Sequence, residues 1–341
     1  MRRSLTTLAA AATAYGAYRL WTSGARRYEF AGRNVVITGG SRGLGLVLAR
    51  QFADQGARLA ICARHADQLR RAAHELRGRG ARVVSEPCDV TDEAAVESFF
   101  AAVTRELGPV DVLINNAGVI QVGPLDLMTP QDFEQAMAIH FWAPLRTMRQ
   151  VLPEMRRRGQ GRIVNISSFG GRVAAPHLVP YCASKFALVG LSRGFREELA
   201  AEGVYVTTVC PGLMRTGSHH HALFKGQHRA EYTWFSIGAS LPVGAMSAET
   251  AARQIIRACR YGAAQATLSL PARLAEMADA VAPELVADVG GLVARLLPGP
   301  DGPESIGAAA AEGQDSRSAW SPSVMTLLGD RAAERNNELA P

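Results

Sequence analysis

The run NVVITGGSRGLG, Asn34 to Gly45, constrains this chain more than any other feature, because it reads as a buried strand feeding directly into a glycine-rich turn and a helix. Val35, Val36 and Ile37 are β-branched, which suits a strand covered on both faces. Gly39, Gly43 and Gly45 leave backbone amides open where a Cβ would keep a phosphate away. The helix that follows, over 44–55, aims its positive N-terminal end at the same point. Ordinary strand-turn-helix units share this spacing, so its meaning depends on what lies downstream.

Downstream the pattern alternates. Apolar runs predict strands near 34–38, 58–62, 82–86, 110–115, 162–167, 205–210 and 266–270. Helical periodicity predicts helices near 44–55, 66–77, 94–107, 132–157, 181–201 and 248–261. Such alternation implies right-handed crossovers and an α/β fold: a Rossmann-like, doubly wound parallel sheet in three α/β/α layers. One domain over 29–271 accounts for it, with its ligand at the carboxyl ends of the strands. A segment over 272–298, with Leu274, Met277, Val281, Leu285, Val289, Leu292 and Leu296 apolar, reads as an amphipathic helical extension that covers the pocket, binds a partner or lies on a membrane. Beyond it, 299–341 turns to Gly, Ala, Ser, Pro and charge, a composition expected to be disordered.

The net charge is +6, but the arginines are scattered and no basic block is interleaved with aromatics, so no nucleic-acid partner is expected. The five cysteines form no CxxC pair and have no histidine at zinc spacing, which reads as reduced, buried thiols and a cytoplasmic catalytic domain. Residues 1–28 carry no acid before Glu29, and Arg2 and Arg3 precede an uncharged run from Ser4 to Tyr18. The leading reading is a membrane anchor or interfacial helix; an export or transit segment and a frayed surface helix are the alternatives. Only two lysines occur, Lys185 and Lys225, in a chain otherwise committed to arginine.

Four motifs in order carry a resemblance: Thr38 to Gly45 (TGGSRGLG), Asn115-Asn116-Ala117-Gly118, Tyr181-Cys182-Ala183-Ser184-Lys185, and Pro211-Gly212-Leu213-Met214-Arg215-Thr216. Together they resemble the signature set of the short-chain dehydrogenase/reductase family over about 33–270. The resemblance implies an oxidoreductase acting on carbonyl or alcohol groups, usually a homodimer or homotetramer.

The residues argue the same chemistry. Tyr181 and Lys185 stand four apart on a predicted helix and share one face. A free phenol has a pKa near 10, and a neighbouring ammonium is expected to lower it toward use as a general acid/base. Ser168 ends the predicted strand before Tyr181 and resembles the serine that bonds the substrate oxygen; Ser167 is its competitor. Where the family has an asparagine that holds a water beside the lysine, this chain has His140. A histidine can hold a water and relay protons itself, so His140 joins Ser168, Tyr181 and Lys185 as the expected catalytic set.

The resemblance also distributes the cofactor contacts: Gly39, Gly40, Ser41, Arg42, Gly43 and Gly45 at the pyrophosphate, Asp89 and Val90 at the adenine, and Asn116, Ala117 and Gly118 at the ribose. Tyr181 and Lys185 join them, with Pro211, Gly212, Met214 and Thr216 by the nicotinamide. After the second strand come Cys62, Ala63 and Arg64, with no acid to bond a free ribose. Arg64 and Arg42 suit a 2′-phosphate, so NADP(H) is expected.

The segment 212–246 would cover the substrate, and its Leu213, Phe224, Tyr232, Trp234, Phe235 and Ile237 suggest an apolar small-molecule ketone or alcohol. His219, His220 and His221 are consecutive, with no carboxylate spaced to complete a metal site, so a flexible polar loop and no metal are expected. The alternative to an enzyme is a catalytically silent NADP(H)-binding sensor or scaffold of the same fold.

Overall fold

A computed structural model describes residues 24, 26–242, 244–300, 309–318 and 320–339. The N-terminal leader expectation therefore falls almost wholly outside the described residues. None of the described helices is long and apolar enough to cross a membrane.

The chain runs β1 (Asn34–Thr38), α1 (Gly43–Ala53), β2 (Arg58–Ala63), α2 (Ala66–Gly78), β3 (Val83–Pro87), α3 (Glu93–Leu107) and β4 (Val112–Asn115). It continues through β5 (Gln121–Val122), α4 (Pro130–Met137), α5 (Ala143–Arg157), β6 (Gly161–Ile166), α6 (Val179–Leu199) and β7 (Val204–Pro211). Then follow β8 (Met214–Arg215), β9 (Leu223–Phe224), α7 (His228–Ser240), β10 (Met246–Ser247), α8 (Ala248–Arg260) and β11 (Gln265–Leu268). Last come α9 (Leu270–Val281), α10 (Pro283–Ala294), β12 (Ala311–Glu312) and α11 (Leu327–Arg335).

Seven strands make one parallel sheet in the order β11-β7-β6-β4-β1-β2-β3. Inside it, β1 is fully buried and registered with Val36 opposite Ala60 on one side and Leu113 on the other. Strand order reverses between β1 and β4, which opens a crevice at their carboxyl ends. One face of the sheet packs on α1, α2 and α8 through Leu46, Phe52, Leu69 and Ile255. The other packs on α3, α5 and α6 through Val96, Phe99, Met148 and Leu199. All five cysteines are buried and free.

Two expectations need correction. The single helix over 132–157 is interrupted by a π-helical turn, Ala138–Trp142, between α4 and α5. Pro144 has no N–H for the carbonyl of His140, so the α-helical ladder cannot continue there, and the Ala143 amide reaches back to Ala138 instead. The second correction is the tail. Across 309–318 and 320–339 it is folded, with β12 antiparallel to β9 and α11 packed on α7. Few large apolar residues hold it, which is why composition suggested disorder. Hydrogen bonds to hydroxyls take their place: Ser236 with Ser321 at 2.9 Å, Thr233 with Ser318 at 2.7 Å, and His228 Nδ1 with Ser316 at 2.9 Å. Close backbone approach does the rest. Gly217 has φ +92°, and a Cβ there would lie 2.4 Å from the Cα of Ala333.

On α9 and α10 and just past them, Leu274, Met277, Val281, Leu285, Val289, Leu292 and Leu296 are exposed, and none of them lines the crevice.

Candidate active site

The crevice is built first by the ends of β1 and β4. Thr38 Oγ1 accepts from the amides of Asn116 (3.0 Å) and Ala117 (3.1 Å), while Asn116 Nδ2 donates to the carbonyls of Thr38 and Gly39, both at 3.1 Å. The two strand ends are thus fixed to one another. Gly45 is required at the first turn of α1, where a Cβ would fall 2.1 Å from the Gly39 carbonyl oxygen. A buried polar chain stands behind: Thr147 donates to Asn115, Asn115 to Asn165 and Asn165 to Ser192.

Most of the expected cofactor residues line one cleft of about 240 Å³: Gly39, Ser41, Arg42, Gly43, Arg64, Asp89, Val90, Asn116, Ala117, Gly118, Met214 and Thr216. Tyr181, Lys185 and His140 line it too. Gly40, Gly45, Pro211, Gly212 and Ser168 do not face its open volume; Gly40 backs onto Ile61 and Gly212 onto Ser269. A cleft this size falls below the ~300–1,000 Å³ usual for ligand pockets.

One of its lining residues is one no motif pointed to. Glu338 lines the cleft, with its carboxylate over the glycine turn. Its Oε2 is 3.4 Å from Arg42 Nε and 3.5 Å from His221 Nε2, which donates to the Glu338 carbonyl at 2.7 Å. The Gly43 amide donates to Asn336, and Asn337 Nδ2 donates to the carbonyls of Ser41 and Gln68. Burial pushes the Glu338 carboxyl up to about 7, against the pull of Arg42. Arg42 keeps its Nη1 buried and without a partner, and the β2 end supplies no carboxylate near it. A buried guanidinium nitrogen with a vacant donor suits a phosphate oxygen.

At the catalytic end, Ser168 bonds the Tyr181 side chain, whereas Ser167 Oγ is spent on the Lys185 carbonyl at 2.9 Å. Ser168 is therefore the serine that faces the phenol. Lys185 Nζ lies 5.6 Å from the Tyr181 ring centroid and donates to the Ile166 carbonyl at 3.0 Å. The expected lowering of the phenol is absent. Burial pushes Tyr181 up to about 12, only partly offset by Ser168, and burial brings Lys185 down to about 7.

His140 sits on the π-helical turn, 1% exposed, with its ring edge-on to Tyr181 at 5.4 Å. Its Nε2 accepts from the Val119 amide at 3.3 Å, and its Nδ1 is 2.8 Å from Ser184 Oγ. Ser184 Oγ itself donates to the Tyr181 carbonyl, so the imidazole proton sits on Nδ1. Burial, then the charge of Lys185, holds His140 well below its ordinary value. Both nitrogens are engaged and the ring is neutral, an arrangement that positions Tyr181 and leaves no nitrogen free to relay protons.

The aromatic segment also differs from expectation. Phe224, Tyr232 and Phe235 pack with Val122 and Ala222 in a satellite core, and none of them lines the cleft. The apolar lining of the cleft includes Val119, Ile120, Ile139, Ile166 and Met214. Lys225 pairs with Asp132 at 2.6 Å, buried and away from the chemistry. His219 and His220 are buried in a short 3-10 turn, Ser218–His221, and not in a flexible loop.

A family model described as short chain dehydrogenase matches residues 33–224. Oxidoreductase UcpA of Salmonella typhimurium is 39% identical over 189 residues, covering 55% of this chain and 72% of that protein. Among solved structures, a variant of actinorhodin polyketide ketoreductase with NADPH is 32% identical with a TM-score of 0.62, over 71% of this chain and 96% of that one. A short-chain dehydrogenase from Streptomyces avermitilis is 31% identical with a TM-score of 0.66, over 76% and 96%.

Proposed function

The chain belongs to the short chain dehydrogenase family, and we propose that it is an NADP(H)-dependent oxidoreductase interconverting a small-molecule carbonyl and the corresponding alcohol. The observation that carries this reading is that Tyr181 and Lys185 meet the glycine turn around one crevice, with Ser168 bonded to the Tyr181 side chain. NADP(H) is favoured by the vacant donor of Arg42, by Arg64 across the cleft, and by the NADPH held in the related ketoreductase structure.

The residues that would hold the dinucleotide are Gly39, Ser41, Arg42, Gly43 and Arg64 at its phosphates and Asn116, Met214 and Thr216 toward its nicotinamide end. Bound there, it supplies or accepts the hydride. Tyr181 handles the proton: a phenol pushed up to about 12 stays protonated and donates to the substrate oxygen in the reducing direction. Ser168 orients that oxygen, Lys185 offsets the phenolate as it forms, and His140 fixes the backbone of Tyr181 through Ser184. The apolar residues of the cleft lining, Val119, Ile120 and Ile139 among them, favour a substrate with an apolar body.

The second reading, a nucleotide-binding sensor or scaffold without turnover, has one observation in its favour: Glu338 in the glycine turn. NADPH consumption across a panel of ketones and aldehydes separates the two. Turnover by the full chain, lost in Tyr181→Phe, supports the enzyme; tight NADPH binding with no turnover on any member supports the scaffold.

A further inference from the structure

Behind the glycine turn lies a cluster with no part in the proposed reaction. His219 and His220, from the 3-10 turn after β8, meet Asp330 of α11, with one donor atom from each lying within 4.8 Å of the others. His219 is 2% exposed and His220 is 4% exposed. Their Nε2 atoms stand 3.6 and 3.5 Å from Asp330 Oδ1. Those distances exceed the ~2.7–3.2 Å of an N–H···O bond, and His219 Nε2, His220 Nε2 and Asp330 Oδ1 are all buried without a hydrogen-bond partner. Both ring nitrogens of His220 are orphaned.

Orphaned polar atoms in one buried pocket carry a desolvation cost that natural structures rarely tolerate. A metal ion removes it for His219 Nε2, His220 Nε2 and Asp330 Oδ1. Ligands at ~2.0–2.2 Å from a tetrahedral zinc are separated from one another by roughly 3.3–3.6 Å along the tetrahedron's edges, and the two histidine–aspartate distances, 3.6 and 3.5 Å, match that spacing. The second oxygen of Asp330 accepts from Thr326 Oγ1 at 2.8 Å, the kind of outer bond that orients a ligating carboxylate. Asp330 keeps 22% of its side chain open to solvent, which gives an ion a way in. Two imidazoles and one carboxylate suit a borderline first-row cation and not an all-oxygen ion such as Ca²⁺ or Mg²⁺.

We propose that His219, His220 and Asp330 bind one Zn²⁺-class divalent ion, with a fourth position left for water, and that this ion fastens α11 to the segment following β8. Its structural consequence is specific. Asn336–Glu338, the residues lying on the glycine turn, directly follow the same helix, so the ion sets how firmly the tail is held over the cofactor crevice.

The test uses the full chain, stripped with a chelator and titrated with Zn²⁺ by calorimetry, and with Co²⁺ by visible absorption. The expected result is one ion per chain, the d–d absorption of four-coordinate cobalt, and a raised Tm with Zn²⁺. Asp330→Asn and His220→Gln should weaken binding by roughly 10-fold or more, while His228→Gln, on α7 and outside the cluster, binds as the parent does. A stripped parent chain that takes up no Zn²⁺, or variants that bind as tightly as the parent, overturns the proposal. If the variants do not fold, the cobalt spectrum of the parent decides alone: four-coordinate bands support the site and their absence overturns it.

Discussion

Glu338 holds its carboxylate on the glycine turn beside Arg42, with Oε2 3.4 Å from the guanidinium Nε, in the ground a pyrophosphate or 2′-phosphate would occupy. A Cβ on Gly43 would lie 2.5 Å from the Glu338 Oε1, so the carboxylate uses the same glycine-made space that admits phosphate. Tail and cofactor then compete. Removing residues 336–341, or Glu338→Ala, should tighten NADPH binding by roughly tenfold, about 1.4 kcal/mol, as followed by nicotinamide fluorescence; unchanged or weaker binding would count against competition.

The competition should depend on pH. The Glu338 carboxyl is raised from 4.5 to about 7, so the docked tail binds the extra proton. Docking is therefore most favourable below 4.5 and weakens as pH rises through 7, by up to roughly 3 kcal/mol. Arg42 and His221 are the charged and titratable groups facing the carboxylate, with Arg64 and Glu312 beyond Arg42. NADPH affinity of the parent should rise between pH 5.5 and 8 more steeply than that of Glu338→Gln. Parallel profiles would show that the carboxyl does not control docking.

His140 should behave as a positioning residue. His140→Leu leaves the Val119 amide without an acceptor, at a cost of about 1–3 kcal/mol, and releases Ser184. The variant should lose both Tm and kcat, whereas His140→Asn, able to reach one of the two partners, should recover much of each. A normal Tm with abolished turnover would restore the proton-relay role.

Arg64 should set the choice of dinucleotide. Arg64→Ala removes a charge from the cleft lining where the 2′-phosphate is proposed to lie, an interaction worth about 1.5–3 kcal/mol. KM for NADPH should rise by roughly 10- to 100-fold while KM for NADH changes little. Equal effects on both cofactors would place Arg64 elsewhere in the binding event.

What the sequence revealed and what it hid divide along a physical line. Val35 to Ile37, the glycine turn and the Tyr181–Lys185 pair were legible because each is fixed by neighbours within a turn or two of chain. The break at Ala138–Trp142 has its signal in Pro144, masked by an apolar period that runs through it. Glu338 and Asp330 had no local signal. Their places depend on contacts with Gly43, Arg42, His219 and His220, far back in the chain, made by serines, glycines and alanines that composition reads as disorder. The phenol's elevated pKa was hidden as well, because it comes from burial and not from the lysine one turn away.

Steady-state NADPH oxidation with a responsive ketone, parent against Tyr181→Phe, bears most directly on the central claim. The expected result is a kcat reduced by roughly 10²- to 10⁴-fold with the NADPH dissociation constant nearly unchanged. A Tyr181→Phe chain that turns over like the parent would contradict it.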